Sequence, residues 1–479
     1  MTTDGPIYHF AFYCSGHGFG HATRVTAITA GLLSRRHRVS IVSSAPESVF
    51  EAVLNEPSVQ ASYRFAIFEP SVIQPKAYDV DRLATFNNLH SFLTHKRRSV
   101  LEQERKWILD QRVDCVLIDA PFLPCAAASK ANIPSVIISN FTFDSCYSYL
   151  SAFNKDEGGE QGVETEQLNE LVAITVNDYA QADLLLRLPG AIPIPGFDED
   201  IELPATNWVD GRAGSFTAEI DCKLARAEES MPRKKRVIDM PLIVRQLTKS
   251  AHDPQTKLAL LAGLGVPADL LKADIKILLV SFGGQVIPSP RPPTSTDPGS
   301  DDHPEPTSQN QPRNALLPPG WIAIVCGLPS KSRPNDMPDR FFSITDSKFN
   351  YVPDLTAIAD VVLGKLGYGT CSEVIATRTP FISVPRKMFV EEYGLKRLMK
   401  ETSTINVEMS IKEFEDGRWA SYIDLADRLR QQQNQIGLSS SSHHQPHSSN
   451  KNQNVHAVDI VVDHLEVFMF EKKTIKPSS

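Results

Sequence analysis

The sequence has no excess of positive charge. Its 49 Lys and Arg residues are outnumbered by 57 Asp and Glu residues, which gives a formal net charge of −8 at pH 7. Proteins that bind nucleic acid usually present a strongly basic surface to the phosphates. The charge balance therefore disfavours nucleic acid as a partner, apart from a local basic patch.

Cysteine is scarce, and its spacing matches no common site. The seven cysteines are odd in number, include no Cys-x-x-Cys pair and stand beside no histidine cluster with metal-ligand spacing. This pattern is typical of reduced thiols in a cytosolic protein, and we expect neither a disulfide framework nor a metal site. The sequence also has no basic leader ahead of its first apolar run and no apolar run long enough to span a bilayer. We therefore expect a soluble cytoplasmic protein, with peripheral membrane contact left open.

Short apolar runs of strand length alternate with helical patterns. The run Tyr8–Cys14 is followed by Val25, Ile28 and Leu32 at helical spacing. The run Cys115–Ile118 is apolar throughout, which is typical of a strand buried on both faces. Because strands alternate with helices, we predict an α/β fold with a mostly parallel sheet covered on both sides. Ligand sites in such folds lie at the carboxyl ends of the strands.

The composition divides the chain into more than one domain. At 479 residues it is too long for one ordinary core. A turn-rich stretch, Pro189–Gly196, closes the first alternating region, and a second begins at Ile275–Val280. Two stretches, 287–312 and 431–454, are so polar that we predict disorder. The predicted organisation is an N-terminal domain at 1–197, a polar insertion or linker at 198–237, a C-terminal domain at 238–470 and a tail at 471–479.

A glycine loop, Ser15–Arg24, follows the first predicted strand; we call it the opening loop. Its glycines, which include Gly18 and Gly20, allow positive φ and close backbone approach, and a helix start leaves N–H groups unsatisfied. Two histidines, His17 and His21, lie in the same turn. The combination suits an anionic ligand and a proton transfer in one place. The alternative is a tight strand-to-helix turn with two solvated histidines.

A second glycine loop, Gly364–Glu373, follows the predicted strand Val361–Leu363. Thr370 and Ser372 can cap the helix that follows, and Glu373 can accept hydrogen bonds from a sugar diol such as ribose. The alternative for this glutamate is that it complements the helix dipole. The spacing matches neither the P-loop nor the dinucleotide fingerprint. Two glycine loops at matching places in two α/β halves predict a cleft between them. The loop glycines are Gly364, Gly367 and Gly369.

Together these residues resemble a known family. The two glycine loops, Phe282–Gln285, Leu317–Trp321, Arg187–Gly190 and Met240–Arg245 are similar to the glycosyltransferase-like N-terminal half of L-arabinokinases. The similarity covers nearly the whole chain outside the polar segments. That half is in turn similar to GT-B glycosyltransferases, such as the bacterial enzyme that adds N-acetylglucosamine to the lipid-linked peptidoglycan precursor. The resemblance implies two Rossmann-like domains facing across a cleft, with the acceptor mostly on the first and a nucleotide-sugar donor mostly on the second.

The resemblance assigns proton transfer to the opening loop. His21 matches the histidine that serves many GT-B enzymes as general base or acceptor-binding group, and histidine titrates near neutrality. Asp119 falls where plant small-molecule glycosyltransferases place the carboxylate that orients this histidine; the alternative is a strand-end carboxylate in a turn. His17 is the competing base, and Gly18 and Gly20 belong to the same acceptor-side loop.

The resemblance assigns donor binding to the second half. The threonine, serine and glutamate of the second glycine loop match a donor loop whose glutamate holds the ribose. Beyond Pro385 the sequence departs from the peptidoglycan enzyme, because Arg386 and Lys387 follow and Glu391–Glu392 stand near its sugar-contacting pair. The two basic residues can neutralise a diphosphate leaving group, or can be an ordinary solvated pair. The donor-binding residues are predicted to be Gly283, Gly284, Gln285, Gly364, Lys365, Gly367, Gly369, Thr370, Ser372, Glu373 and Arg386.

The leading hypothesis is a metal-independent inverting glycosyltransferase without a cofactor. It transfers a sugar from a nucleotide-diphosphate sugar, a UDP-sugar by the resemblance, to a small-molecule or glycan acceptor. The alternatives are a nucleotide-sugar epimerase on the same fold and a non-catalytic module that senses a nucleotide sugar or a sugar. Sugar-kinase activity is disfavoured, because in L-arabinokinases it belongs to a GHMP-type C-terminal half that this chain is too short to contain. Gly437–Ser442 imitates the phosphate loop of those kinases but lies in low-complexity sequence.

Overall fold

The fold consists of two α/β halves that follow each other along the chain. The computed structural model describes residues 5–55, 60–151, 163–198, 200–226, 236–248, 253–283, 285, 316–327, 337–344, 351–386, 388–440 and 450–475.

The first half is built from short strands and the helices between them. The strands are β1 (His9–Cys14), β2 (Arg38–Ser43), β3 (Ala61–Phe65), β4 (Cys115–Asp119), β5 (Ser135–Ser139), β6 (Leu184–Arg187), β7 (Val209–Asp210), β8 (Ser215–Phe216) and β9 (Arg236–Asp239). The helices are α1 (Phe19–Ser34), α2 (Glu51–Leu54), α3 (Arg82–Ser91), α4 (Arg97–Asp110), α5 (Leu123–Lys130), α6 (Phe143–Ser148), α7 (Thr165–Tyr179) and α8 (Ala218–Arg226). Single turns of 3-10 or π geometry lie at Glu47–Phe50, Phe92–Lys96, Tyr149–Ser151 and Ala205–Trp208.

The first sheet is parallel throughout its described strands. Their order is β3-β2-β1-β4-β5-β6-β9, and β7 and β8 form a small antiparallel ribbon outside it. Phe10 in the central strand lies opposite Val39 on one side and Cys115 on the other, and all three are buried. Burial on both faces explains why these runs are apolar at consecutive positions. The predicted parallel sheet is confirmed.

The second half repeats the same plan. Its strands are β10 (Lys276–Ser281), β11 (Trp321–Val325), β12 (Phe341–Ser343), β13 (Val361–Gly364), β14 (Phe381–Ser383) and β15 (Asn406–Glu408). Its helices are α9 (Pro254–Gly263), α10 (Val352–Ile358), α11 (Tyr368–Thr377), α12 (Glu391–Glu401), α13 (Ile411–Glu415) and α14 (Ala420–Ser440), and α15 (Asn450–Ile475) ends the described chain. The strands are again parallel, in the order β12-β11-β10-β13-β14-β15.

Both sheets change direction between two central strands, and the predicted site residues lie there. In each half the chain winds outward from the first strand, then returns to lay the fourth strand beside it. The crevice at such a switch point is where α/β proteins bind ligands. The opening loop follows β1 and Asp119 ends β4, while Gly283 follows β10 and Gly364 ends β13. The strand order thus places one glycine loop at the switch point of each sheet.

The halves contact each other through the helices that begin at these loops. Helix α1 packs against α11, and a Cβ added to Gly20 would lie 3.9 Å from the backbone nitrogen of Gly369. Helix α12 packs against the first half, where a Cβ added to Gly394 would lie 2.5 Å from the carbonyl oxygen of Gly190. The predicted pair of Rossmann-like halves facing across a cleft is confirmed.

Strand β9 and helix α15 pack with the first half, although the predicted domain boundaries place them in the linker and in the second domain. Strand β9 begins in the range 198–237, predicted to be a linker, but it pairs with β6 and completes the first sheet. Helix α15 falls mostly within 238–470, yet it packs on α1 of the first half, with Arg35 Nη2 2.9 Å from Asp463 Oδ1. We therefore propose that the first domain extends to Asp239 and includes α15.

Parts of the predicted polar segments belong to helices and strands of the structure. Residues 431–440 belong to α14 and residues 450–454 to α15, so the structure differs there from the predicted disorder. Glutamine is a good helix former, and Gln431 Nε2 donates a hydrogen bond to Asp427 Oδ2 one turn earlier at 2.8 Å. The range 198–237 contains β7, β8 and α8. Residues 287–312 and 441–449 lie outside the described residues.

Gly364 is expected to tolerate no side chain. A Cβ there would lie 2.0 Å from the carbonyl oxygen of Ser281 on the neighbouring strand, so backbone would have to move. We expect Gly364→Ala to lower the free energy of unfolding by about 1–3 kcal/mol, measured by urea denaturation. Gly367→Ala is the matched control in the same loop, because nothing lies within 4 Å of its added Cβ. Equal losses in the two variants would contradict this explanation.

Candidate functional site

A cavity lies between the two switch points. It encloses about 1010 Å³, including open space at its mouth, which is large enough for a nucleotide-sized ligand. Both halves line it, and polar side chains converge on it from both glycine loops. The lining residues include His17, Gly18, Gly20, His21, Thr23, Arg24, Phe141, Arg245, Gly283, Lys365, Gly367, Tyr368, Gly369, Thr370, Glu373, Arg386, Phe389 and Glu391.

The strand order brings His21 and Asp119 together. Helix α1 starts just after Gly18, whose φ of 84° is a conformation that glycine adopts easily, and this puts His21 in the first turn. Strand β4 is the neighbour of β1, so Asp119 lies opposite Cys14 at the base of the opening loop. His21 Nδ1 is 3.2 Å from Asp119 Oδ1. The two residues that the resemblance places in one dyad are thus adjacent.

Arg24 is a third member of this cluster, and the sequence reasoning did not assign it. Its Nε donates a hydrogen bond to Asp119 Oδ2 at 2.8 Å, and its Nη2 donates to Oδ1. Its Nη1 donates to Asn140 Oδ1 at 2.8 Å, and the guanidinium lies 4.8 Å from the ring centre of Tyr368 in the second half. The spacing of three residues from His21 places both side chains on one helix face, which is a signal that the sequence does contain.

The carboxyl of Asp119 is held ionised. Complete burial by itself would raise its pKa, but the charges of Arg24 and His21 and their hydrogen bonds outweigh burial, and the pKa of Asp119 is lowered. Asp119 therefore contributes stability at neutral pH that is lost as the pH falls through its lowered pKa.

His17 occupies a different environment from His21. Its ring stacks on Phe389 at 5.9 Å and meets the edge of Phe143, and its Nε2 is buried with no hydrogen-bond partner among the described residues. Burial, together with the charges of Lys365, His21 and Arg386, lowers the pKa of His17 to about 3. A histidine with that pKa is a weak proton acceptor at neutral pH.

Lys365 is a buried cation without an acidic partner. It is 8% exposed, and its Nζ donates to Gln285 Oε1 at 2.6 Å. No carboxylate among the described residues lies within ion-pair distance of it. Burial and the charge of the neighbouring Arg386 outweigh the charges of Glu391 and Glu392 and hold the pKa of Lys365 well below its ordinary value. A buried ammonium of this kind is costly unless an anion joins it.

Glu373 is already engaged by an arginine that the sequence reasoning did not assign to the site. Arg245, from the segment that follows β9, donates from Nε to Glu373 Oε1 at 2.9 Å and lies 5.4 Å from the ring centre of Tyr351. Thr356 Oγ1 donates to the other carboxylate oxygen at 3.2 Å. A ribose diol can reach Glu373 only by sharing or displacing these partners.

Arg386 is also balanced by acidic neighbours. Its Nη2 donates to the carbonyl oxygen of Leu366 and to Glu391 Oε2, the latter at 3.2 Å. Its Nε is buried without a hydrogen-bond partner among the described residues and lies 3.8 Å from Glu392 Oε2. Glu391 Oε1 in turn accepts from Asn140 Nδ2 at 3.1 Å. A continuous chain of hydrogen bonds therefore crosses the cleft from Asp119 through Arg24 and Asn140 to Arg386.

The other predicted donor residues lie at different depths. Gly283, with a φ of 65°, lines the cavity, as do Gly367, Gly369 and Thr370. Gln285 lies behind them, where its Nε2 donates to Gln74 Oε1 at 2.6 Å. Gly364 is packed against Ser281, and Gly284 and Lys387 lie outside the described residues.

The predicted capping of α11 by Thr370 and Ser372 is wrong. The helix begins at Tyr368 with Gly367 as its N-cap, so both residues lie inside its first turns, beyond the capping position. Ser372 Oγ donates instead to the carbonyl oxygen of Gly369 at 2.9 Å.

Glu69 is a buried acid beneath the opening loop, and it is expected to make stability depend on pH. Its Oε2 has no hydrogen-bond partner among the described residues, and burial outweighs hydrogen bonds from Ser15 and Gly16 to raise the pKa of Glu69 to about 7. Because this pKa lies above the ordinary value of 4.5, the contribution to stability is complete below about pH 4.5 and is lost as the pH rises to about 7. We compare the free energy of unfolding of Glu69→Gln with that of the unchanged protein. The difference in favour of the variant is expected to grow by up to about 3 kcal/mol between pH 4.5 and pH 8.

Urea denaturation at both pH values measures this difference. The exposed Glu51, changed to Gln, controls for the loss of one charge. A difference between Glu69→Gln and the unchanged protein that is the same at both pH values would contradict the burial of Glu69 as a neutral group.

The described residues contain no metal cluster, no disulfide and no helix suited to span a membrane. Among the described residues, no three His, Cys, Asp or Glu side chains converge as a metal site would require. No disulfide joins the seven cysteines, all of which lie in described parts of the chain. In the same residues, no helix has the length and apolar composition that a bilayer span needs.

The chain is similar in sequence to one curated protein in particular. It is 29% identical over 422 residues to an L-arabinokinase of Arabidopsis thaliana, a match that covers 88% of this chain and 32% of the relative. The chain thus spans about a third of the length of that protein. No protein-family model matches the chain. The resemblance carried by the glycine loops is confirmed over most of the sequence.

Solved structures show the fold to be GT-B. A UDP-glucosyltransferase from Polygonum tinctorium matches with a TM-score of 0.52 and 13% identity, covering 96% of this chain and 99% of its own. The glycosyltransferase of kitacinnamycin matches with a TM-score of 0.51 and 15% identity, covering 96% and 98%. At such identities the likeness concerns the fold, so function must be argued from the site.

Proposed function

We propose that this chain, similar to L-arabinokinase over most of its length and folded as a GT-B protein, is a glycosyltransferase. It binds a nucleotide-diphosphate sugar in the cleft between its halves and transfers the sugar to a hydroxyl of a small molecule or glycan. A UDP-sugar is the donor proposed first, because the Polygonum tinctorium protein of the same fold is a UDP-glucosyltransferase. The kinase activity in the name of the relative is not proposed, because the chain matches only 32% of that protein.

The buried charge of Lys365 carries this proposal. The residue lines the cavity, its ammonium has a neutral amide as its hydrogen-bond partner, and Arg24, Arg245 and Arg386 line the same space. The arginines are paired with carboxylates, which leaves Lys365 as the cation that has no carboxylate within ion-pair distance among the described residues. A diphosphate supplies that charge, and the electrostatic gain is largest where water is excluded.

The dyad of His21 and Asp119 supplies the proposed proton transfer. As the acceptor oxygen bonds to the anomeric carbon, the bond from that carbon to the phosphate oxygen breaks and the nucleoside diphosphate leaves. The hydroxyl proton passes to His21 Nε2, and Asp119 stabilises the imidazolium that forms. This is direct displacement, so the configuration at the anomeric carbon is inverted.

An epimerase is less well supported by the same cavity. Such an enzyme needs acid and base groups that are free to exchange protons with the sugar. The carboxylates that line the cavity among the described residues are Glu373 and Glu391, and both are held by arginines.

A thermal-shift screen tests the proposal. Nucleoside diphosphates with different bases, and their sugars, are added one at a time; a ligand at about 100 times its dissociation constant adds roughly 2.7 kcal/mol of stability. We expect at least one diphosphate to raise the melting temperature, and the matching sugar donor to be consumed when acceptors are supplied. No shift with any of them would overturn the donor site. Binding without transfer or donor hydrolysis would identify a nucleotide-sugar-binding module instead.

A further inference from the structure

We propose that Ser139 is a positioning residue which, by accepting a hydrogen bond from Arg24 Nη2, keeps the proton of His21 on Nδ1 and leaves Nε2 as the proton acceptor. The consequence for sugar transfer rests on the proposed function. The position of the proton does not, and it can be measured without any ligand.

The environment of His21 Nδ1 is ambiguous if this atom is considered alone. Asp119 Oδ1, an acceptor, lies 3.2 Å away, and Arg24 Nη2, a donor, lies 3.1 Å away. With its proton on Nδ1 the ring donates to Asp119, and Nε2 carries a lone pair. With its proton on Nε2 the ring accepts from Arg24, and Nε2 becomes a donor that cannot take a proton from an acceptor hydroxyl.

Ser139 decides which ring nitrogen of His21 carries the proton, because it accepts one of the two hydrogens on Arg24 Nη2. Nη2 of Arg24 carries two hydrogens, and one of them goes to Asp119 Oδ1. Ser139 Oγ donates its own hydrogen to the carbonyl oxygen of Phe141 at 2.8 Å, which leaves it an acceptor for Nη2 at 3.2 Å. Both hydrogens of Nη2 are then used. His21 Nδ1, 3.1 Å from Nη2, therefore competes only for a hydrogen that is already engaged, whereas it can donate its own hydrogen to Asp119 Oδ1.

Burial and hydrogen bonds fix the orientation of the Arg24 guanidinium. Arg24 is 2% exposed, and Asp119, Ser139 and Asn140 have no exposed surface. Nε and Nη1 are fixed by Asp119 Oδ2 and Asn140 Oδ1, each at 2.8 Å. The plane of Arg24 therefore cannot rotate to present a different hydrogen to His21 without breaking these bonds.

Arg24 also ties the position of this proton to the contact between the halves. Its guanidinium lies over the ring of Tyr368, and its partner Asn140 donates to Glu391, both of which belong to the second half. The arrangement around His21 is thus built from residues of both sides of the cleft.

The test is a nuclear magnetic resonance measurement on the full chain labelled with ¹⁵N-histidine. Long-range nitrogen–proton spectra distinguish a protonated from an unprotonated ring nitrogen, and the signals missing from His21→Gln identify His21. In the unchanged protein we expect the tautomer with its proton on Nδ1. In Ser139→Ala, Nη2 of Arg24 has a spare hydrogen for Nδ1, and we expect the tautomer to change to Nε2–H.

Arg24→Met provides the second variant, and Arg64→Met its control. Arg64 lies in the same half and donates hydrogen bonds from Nη1 and Nη2 to the carboxylate of Glu104 at 2.6 and 2.9 Å. Its guanidinium lies 4.7 Å from the ring centre of Trp107, and it does not line the cavity. Arg24→Met removes the competing donor and leaves Asp119 Oδ1 as the partner of Nδ1, so we expect the Nδ1–H tautomer in this variant. Arg64→Met is expected to leave the His21 signals unchanged. An Nδ1–H tautomer that persists in Ser139→Ala would overturn the proposal, as would an Nε2–H tautomer in the unchanged protein or in Arg24→Met.

Kinetics then separates this proposal from the proposed function. Once a donor is identified, Ser139→Ala is expected to lower kcat about 10- to 100-fold with KM for the donor within about twofold, because a proton acceptor is lost and no donor contact is removed. An altered tautomer without any loss of kcat would overturn the catalytic consequence. If no donor is ever consumed, the proposed function fails, while the tautomer result still decides the role of Ser139.

Discussion

Replacing His21 by Gln is expected to lower kcat for sugar transfer about 100- to 10,000-fold, which is the usual contribution of a general base. Glutamine keeps a polar group of similar length in the first turn of α1 but cannot take up a proton. The affinity for the nucleoside diphosphate is expected to change little, because the proposed diphosphate contacts come from the second half. Steady-state transfer assays and calorimetric titration of the diphosphate measure the two effects separately.

His17→Gln is the matched control for this experiment. It changes a histidine of the same loop that lines the same cavity, but its pKa of about 3 makes it a poor proton acceptor. We expect this variant to alter KM more than kcat. If His17→Gln abolished transfer and His21→Gln did not, the assignment of the base would be reversed. If neither variant affected transfer, the proton would have to pass to a different group.

Replacing Lys365 by Met is expected to weaken nucleoside-diphosphate binding about 10- to 100-fold, which corresponds to roughly 1.4–2.7 kcal/mol. The same change is expected to raise the free energy of unfolding of the unliganded protein. The reason is that a buried ammonium with a neutral amide partner is replaced by an apolar side chain of similar length. A side chain that costs stability without ligand and adds affinity with it is typical of a binding site.

The pH dependence gives a separate check on Lys365. Its pKa in the folded protein is lowered below 10.5, so the folded state is penalised fully below the lowered pKa, and the penalty disappears as the pH rises to about 10.5. The stability advantage of Lys365→Met should therefore shrink as the pH is raised through this range.

Lys276→Met is the matched control for Lys365→Met. Lys276 begins β10, away from the cavity, and its Nζ lies 2.5 Å from Asp427 Oδ2. This variant is expected to keep the affinity for the diphosphate and to gain no stability. A loss of affinity in both variants would mean that Lys365 acts through the stability of the second half and not through contact with the ligand.

The central strands could be predicted because burial on both faces makes their residues apolar at consecutive positions. Cys115–Asp119 is apolar up to its last residue, and a charged residue at the carboxyl end of a buried strand indicates a switch point. This signature indicated the position of Asp119, whereas its pairing with His21 was implied by the resemblance to GT-B enzymes. The two residues are 98 apart in the chain and 3.2 Å apart in the fold.

The partners of these residues could not be predicted in the same way. Arg245 reaches Glu373 from a segment between the two halves, and no local pattern indicates which carboxylate such an arginine will meet. That Lys365 has no carboxylate within ion-pair distance among the described residues depends on how distant parts of the chain pack around it, which only the folded structure shows. The start of α11 was misplaced because Gly367 caps it through its backbone conformation, without a side-chain signal.

The return of α15 to the first half means that the chain crosses between the halves twice. It passes to the second half after β9 and comes back before α15, which lies against α1. The two halves are thus joined by two stretches of backbone instead of one, and this double connection restricts the ways in which they can move relative to each other.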